Sequence, residues 1–110
     1  MAAVRVRFAG MAGQTFMVTE ELWLHDGPGG WHFITLPPDV TDDIRAGVGG
    51  APRPFGAVAA QLTIARTTWS TSLFADTRRQ AYLLPVKADV RRAERLEDGD
   101  RVTVTISLGS

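Results

Sequence analysis

The carboxyl-terminal end of the chain alternates apolar and polar residues with a period of two. In the string RVTVTISL, residues 101–108, every second residue from Val102 to Leu108 is aliphatic. Successive side chains of a β-strand point to opposite faces, so this pattern predicts a strand with one buried face. The same alternation occurs in three other segments: 4–8, 16–24 with an interruption at Glu20, and 58–64.

Two further segments complete the predicted strands. WHFIT at 31–35 and TWSTSLF at 68–74 are rich in aromatic and β-branched residues and are bounded by turn-forming residues. Six or seven strands favour a mainly β fold, and a small closed barrel leaves no strand edge exposed. Because 110 residues provide one core, we expect a single β-barrel domain over residues 1–110.

Two short segments predict helices. LPPDVTDDIRAG at 36–47 has Val40 and Ile44 on one face, and the segment 85–96 has Val86 and Val90 on one face. Helices of about two or three turns depend on tertiary packing. We therefore expect both helices to lie across the openings of the barrel.

The two helical segments resemble copies of one unit. Leu36-Pro37 and Leu84-Pro85 are each followed by a predicted helix, then by Gly56 or Gly99, and then by an alternating strand. Such a unit used twice predicts an internal two-fold repeat in the barrel. The alternative is a chance recurrence of a common Leu-Pro and helix string.

The charge of the chain gives little support for a nucleic-acid partner. Twelve basic residues balance twelve acidic ones, so the formal net charge is zero. A local basic excess lies between residues 77 and 95, where Lys87, Arg91 and Arg95 recur every four residues and predict a basic stripe on the second helix. Acidic residues that follow at 97–100 are expected to neutralise it.

Other features exclude several classes of protein. The chain has no cysteine, which excludes a disulfide, a thiol nucleophile and a thiolate metal site. No apolar run approaches the roughly 20 residues of a spanning helix, and the amino terminus does not read as a secretory signal. We therefore expect a cytoplasmic protein with no membrane partner.

Three strings carry a family resemblance. GGWHFITLPPDVTDDIR, TTWSTSLFAD and YLLPVKADVRRAERLEDGDRVTVTISL resemble the bacterial family known as domain of unknown function 1905, over about Phe16 to Leu108. The resemblance implies a compact β-barrel, found alone or ahead of a helical domain of the OmpD-associated, bacteriocin-protection type. It implies no catalytic residues. The chain departs from the family pattern in loops, at 54–57, at 65–66 and at Ala75.

A shorter resemblance links the chain to DNA-binding regulators of the AbrB and MazE kind. Val90-Arg91, Leu96 and Gly99-Asp100 keep a similar spacing. A structural need explains the same residues, because the helix must stop, Leu96 must enter the core and Gly99-Asp100 must turn the chain. The chain also has roughly twice the strands of one such protomer. A DNA-binding module is therefore the alternative, and nucleic acid is not the expected partner.

Residues with catalytic or metal-binding chemistry are few. His25 and His32 are the only histidines, and no spacing typical of a metal site is present. Ser70 and Ser72 would be nucleophiles only beside a histidine, and alternate serines are typical of a solvent-facing strand. We expect no cofactor, no metal and no catalytic residue, and a weak hydrolase-type enzyme is the third interpretation.

The aromatic residues give two interpretations of the candidate site. Trp31 and Phe33 share one strand face, and Trp69 shares another with Leu73. Large rings usually belong to the core. The alternative is a pocket at the barrel mouth that has Trp31 and Trp69 as walls and takes the charge for a small anion from Lys87 or Arg91. The candidate ligand-binding residues are Trp31, Phe33, Trp69, Ser72, Lys87 and Arg91.

The sequence thus predicts a non-catalytic module that binds a small ligand or another protein. It does not identify that ligand or partner, and it does not decide between a monomer and a dimer.

Overall fold

The computed structural model describes residues 14–47 and 57–108. Within them lie six strands and two helices: β1 (Gln14–Leu24), β2 (His32–Thr35), α1 (Pro38–Gly47), β3 (Val58–Ile64), β4 (Thr67–Asp76), β5 (Ala81–Pro85), α2 (Ala88–Glu94) and β6 (Arg101–Leu108). The strand predicted at 4–8 and the glycine- and proline-rich segment 48–56 lie outside the described residues.

The six strands form a closed barrel in the order β1-β2-β5-β4-β3-β6, and every neighbouring pair is antiparallel. Closure gives each described strand a hydrogen-bonded neighbour on both sides, as expected for a barrel. The prediction of a mainly β fold with a small closed barrel and two short helices is confirmed.

The core fills the interior of the barrel. Along β6, Val102, Val104 and Ile106 are buried while the residues between them are exposed or half-buried, as the alternation predicts. The fully buried large side chains of the strands are Phe16, Leu22, Ile34, Leu62, Leu73, Leu84 and Ile106. Burying each such side chain contributes on the order of 1.5–3 kcal/mol.

The two helices lie at opposite ends of the barrel. Before α1, the backbone N–H of Leu36 donates to the carbonyl of Tyr82 (3.0 Å), and before α2 the N–H of Val86 donates to the carbonyl of His32 (3.0 Å). Because β2 and β5 are antiparallel, these bonds mark the two ends of the strand pair. Each helix buries its apolar face against the barrel, through Val40 and Ile44 in α1 and Val90 in α2. Neither helix in the described ranges is long and apolar enough to span a membrane.

The chain contains the predicted two-fold repeat. Exchanging the unit β1-β2-α1-β3 with the unit β4-β5-α2-β6 leaves the strand order of the barrel unchanged. The local hydrogen bonds repeat as well: Thr41 Oγ1 donates to the carbonyl of Leu36 (3.4 Å), and Arg91 Nε donates to the carbonyl of Val86 (3.1 Å). Leu36 therefore corresponds to Val86, and the predicted match between Leu36 and Leu84 is wrong by two residues.

The second helix is shorter than its sequence pattern indicates. Arg95 has a left-handed backbone conformation (φ 55°) and ends α2, while Lys87 precedes the helix as its N-cap. Leu96 packs against the core. Of the three bases predicted to form one stripe along a helix, only Arg91 lies within α2, while Lys87 and Arg95 cap its two ends.

Candidate functional site

The structure separates the two tryptophans that were expected to form one pocket. Ile34 is fully buried, so its neighbour Phe33 points outward, and Trp31 stacks on Phe33 with ring centroids 6.1 Å apart and an interplanar angle of 9°. Trp31 is 54% exposed, whereas Trp69 points into the barrel and is 7% exposed. The rings of Trp31 and Trp69 lie on opposite sides of the barrel wall, and the predicted pocket between them does not form.

The polar residues of the predicted site also lie apart from one another. Ser72 is on the outer face of β4 opposite Ala59, and Lys87 is exposed at the start of α2. Arg91 lines a groove of about 290 Å³ beside α2, whose other lining residues are Ala88, Arg92, Arg95, Leu96 and Glu97. That groove has no aromatic lining residue. A binding role for Ser72, Lys87 or Arg91 stays a prediction.

The structure instead gathers four rings on the outer surface of the β1–β2 hairpin. We call Trp23, His25, Trp31 and Phe33 the aromatic cluster. Trp23 lies opposite Phe33 in the strand pair, with ring centroids 5.4 Å apart. His25 completes the cluster with its ring 6.3 Å from that of Trp23 and 6.0 Å from that of Phe33. Such separations are typical of favourable tilted and edge-to-face aromatic pairs.

Polar contacts fix the ring of Trp23. Its indole Nε1 donates a hydrogen bond to Thr35 Oγ1 (2.9 Å). On the ring face, the guanidinium carbon of Arg79 lies 4.4 Å from the ring centroid, which is within the range of a cation–π interaction. Trp23 is thus held between β2 and the turn that joins β4 to β5.

Asp76 orders that β4–β5 turn. Its Oδ1 accepts hydrogen bonds from the backbone N–H groups of Arg78 (2.9 Å) and Arg79 (3.3 Å), and its Oδ2 accepts one from Arg79 Nη1 (2.6 Å). The hydrogen bond from the Arg79 side chain is the largest cause of a lowered pKa at Asp76; the two backbone hydrogen bonds lower this pKa as well, and desolvation opposes them. The charged carboxylate therefore holds Arg79 in place over Trp23.

A groove of about 580 Å³ lies beside Trp23 and Arg79. We call it the outer groove, and it is lined by Trp23, Leu24, His25, Asp26, Arg78 and Arg79. Its volume falls within the range of small-molecule sites, about 300–1,000 Å³. Leu24 is 48% exposed and gives the groove an apolar contact surface.

The loop from His25 to Trp31 shapes one border of the groove. The backbone N–H of His25 donates to the carbonyl of Trp31 (2.8 Å), which closes the loop. Gly29 has a positive φ of 95°, and a Cβ atom there would lie 2.9 Å from Nε1 of Trp31. A side chain at Gly29 would therefore displace the indole ring.

The described residues contain no cluster of three or more histidine, cysteine or carboxylate groups that could hold a metal ion. In the same part of the chain, no serine hydroxyl is hydrogen-bonded to a histidine ring.

The model of DUF1905, a domain of unknown function, matches residues 19–106. The chain belongs to the DUF1905 family. The resemblance inferred from the sequence strings is thus confirmed, and a search of curated proteins gave no significant match. The matched range of this DUF1905 chain includes every residue that lines the outer groove.

Sequence reasoning missed Trp23, His25 and Arg79 as members of the candidate site. The spacing of the rings was a sequence signal for the aromatic cluster. Trp23 and His25 are two residues apart before the loop, and Trp31 and Phe33 are two residues apart after it, so each pair is expected on one strand face. No pattern in this DUF1905 chain connects Arg79 to Trp23, since their contact depends on how the barrel closes.

Proposed function

We propose that this DUF1905 domain is a non-catalytic module that binds a small organic molecule in the outer groove. The observation that carries the proposal is the lining of the groove, where aromatic and aliphatic surface lies beside both an acidic and a basic side chain. Binding sites for small molecules typically combine an apolar lining with a few polar groups that orient the ligand.

A small molecule fits this surface better than a protein partner does. The three large apolar side chains exposed in the described ranges are Leu24, Trp31 and Phe74. Phe74 lies on β4 and does not line the outer groove, so the exposed apolar surface is divided. Stable protein interfaces bury about 800 Å² on each partner around an apolar centre. The outer groove is compact and has the volume of a ligand site.

The test uses ring-bearing small molecules as probes and one variant that blocks the groove. Benzoate, benzamide, benzylamine and L-phenylalanine are screened by saturation-transfer NMR against the parent and Leu24→Glu. Leu24 is exposed, so Leu24→Glu introduces a charge in the groove without disturbing the core. The matched control is Phe74→Glu, a similar change at an exposed outer position away from the groove.

The proposal expects at least one probe to bind the parent and Phe74→Glu and to lose binding in Leu24→Glu. Failure of all four probes to bind would overturn it, and so would equal binding to Leu24→Glu and the parent. Equal loss in both variants would place the binding surface outside the groove and would also overturn the proposal.

A further inference from the structure

Two side chains of opposite charge border the outer groove without pairing to each other. Asp26 lies in the loop after β1, and Arg78 lies in the β4–β5 turn. In the described ranges neither side chain forms an ion pair, whereas Arg79 is paired with Asp76. Arg78 and Asp26 are both exposed and are therefore accessible to a ligand.

We propose that the ligand of the outer groove is a free α-amino acid with an apolar or aromatic side chain. Its carboxylate binds Arg78 and the free N–H groups of Arg79, its ammonium binds Asp26, and its side chain lies against Trp23, Leu24 and His25. This inference rests on the proposed function, because it names the class of ligand for the same groove.

The charge of the groove selects a zwitterion over a simple ion. Asp26 and Arg78 line the groove as an acidic and a basic group, and Asp76 already pairs with the third charged lining residue, Arg79. A simple anion bound to Arg78 would leave the Asp26 carboxylate without a partner. A simple cation bound to Asp26 would leave Arg78 without a partner. Like charges repel, whereas a zwitterion offers an ammonium to Asp26 and a carboxylate to Arg78.

Arg79 is positioned in advance to take part in carboxylate binding. Its Nη1 donates to Asp76 and its guanidinium lies over the Trp23 ring, so the orientation of the side chain is fixed before a ligand binds. The guanidinium has five N–H donors, and Asp76 uses one of them. Planar guanidinium groups held in this way favour carboxylates, which they bind through paired hydrogen bonds.

The test compares three ligands that share one phenyl ring by isothermal titration calorimetry at neutral pH. L-Phenylalanine has both charges, N-acetyl-L-phenylalanine lacks the ammonium, and L-phenylalaninamide lacks the carboxylate. We expect L-phenylalanine to bind at least about tenfold more tightly than either analogue, because only the zwitterion contacts both walls.

Two variants assign each charge to its partner. Asp26→Asn is expected to weaken L-phenylalanine binding by at least about fivefold and to leave N-acetyl-L-phenylalanine unchanged or tighter. Arg78→Gln is expected to weaken L-phenylalanine and to leave L-phenylalaninamide unchanged or tighter. Arg66→Gln, in the exposed β3–β4 turn, is the control and should bind as the parent does.

The outcomes separate this inference from the proposed function. If either analogue binds at the groove as tightly as L-phenylalanine, the zwitterion inference is wrong while the small-molecule site stands. The zwitterion inference is also wrong if Asp26→Asn and Arg78→Gln both bind L-phenylalanine as tightly as the parent does. If neither these ligands nor the ring probes bind, the proposed function fails and this inference fails with it.

Discussion

The guanidinium carbon of Arg79 lies 4.4 Å from the centroid of the Trp23 ring, which joins the β4–β5 turn to the outer face of β1. Residues distant in the chain thereby form one surface on a barrel whose interior is filled by aliphatic and aromatic side chains. The contact depends on Asp76, which holds both the turn and the Arg79 side chain.

Asp76→Asn should lower the thermal stability at neutral pH. The lowered pKa of Asp76, caused first by the hydrogen bond from Arg79, means that the folded state favours the charged carboxylate. This stabilisation is fully present above the ordinary aspartate pKa of about 4, and it is lost as the pH falls through the lower pKa of the folded state. Melting temperatures of the parent and the variant, measured from neutral to strongly acidic pH, should therefore converge in acid.

A constant difference in melting temperature across the whole acidic range would contradict the role of Asp76. Asp42→Asn is the matched control, because Asp42 is an exposed carboxylate 3.9 Å from Arg45. Exposed pairs of this kind contribute about 0–1 kcal/mol, so the control should differ little from the parent at any pH.

Trp69→Ala should destabilise the barrel by roughly 3–5 kcal/mol, because it removes a large buried ring. Trp69→Phe should cost far less, since the buried Nε1 of Trp69 has no hydrogen-bond partner among the described residues. Urea unfolding of both variants measures the difference. If the phenylalanine variant is as unstable as the alanine variant, this explanation is wrong.

The sequence predicts which strand residues of this barrel are buried. Alternation along β3 and β6 identifies the buried residues, because one face of each strand is polar. The segment WHFIT is apolar on both faces, and the pattern therefore does not say which of Phe33 and Ile34 points inward. Ile34 is the buried one, and Phe33 joins the outer cluster as a result.

The outer groove was not predictable because it is a tertiary feature. Its lining comes from the end of β1, the loop after it and the β4–β5 turn, which no local pattern brings together. The sequence predicted that a repeat exists but not which residues correspond. The Leu-Pro strings at 36–37 and 84–85 suggest that Leu36 matches Leu84, whereas the backbone hydrogen bonds match Leu36 with Val86, two residues later.

Gly99→Ala should destabilise the protein by about 1–2 kcal/mol. Gly99 has a φ of 95°, a conformation that is unfavourable for residues with a Cβ atom, and its N–H donates to the carbonyl of Leu22 (2.7 Å). An added Cβ would meet no atom within 4 Å, so the cost comes from the backbone. Gly99→Asn should cost less, because asparagine tolerates left-handed conformations better. Equal urea midpoints for the parent and the alanine variant would show that the backbone conformation of Gly99 does not require glycine.

The chain should not bind duplex DNA in the micromolar range at physiological salt. The formal net charge of the chain is zero, and Arg92 in α2 already pairs with Asp89, so one short basic helix offers few phosphate contacts. Fluorescence anisotropy with a labelled duplex measures this. The AbrB-like interpretation would be favoured by a different result. In that case the parent would bind DNA in a salt-sensitive way, and the triple change of Lys87, Arg91 and Arg95 to glutamine would abolish the binding.

The most direct test of a binding site on the outside of the barrel follows the indole N–H signals of the three tryptophans by NMR during titration with L-phenylalanine. Trp23 lines the outer groove, and Trp69 lies inside the barrel. We predict that the Trp23 signal shifts and saturates with added ligand while the Trp69 signal stays in place. A shift of the Trp69 signal with no change at Trp23 would place the ligand in the barrel interior and would contradict the account.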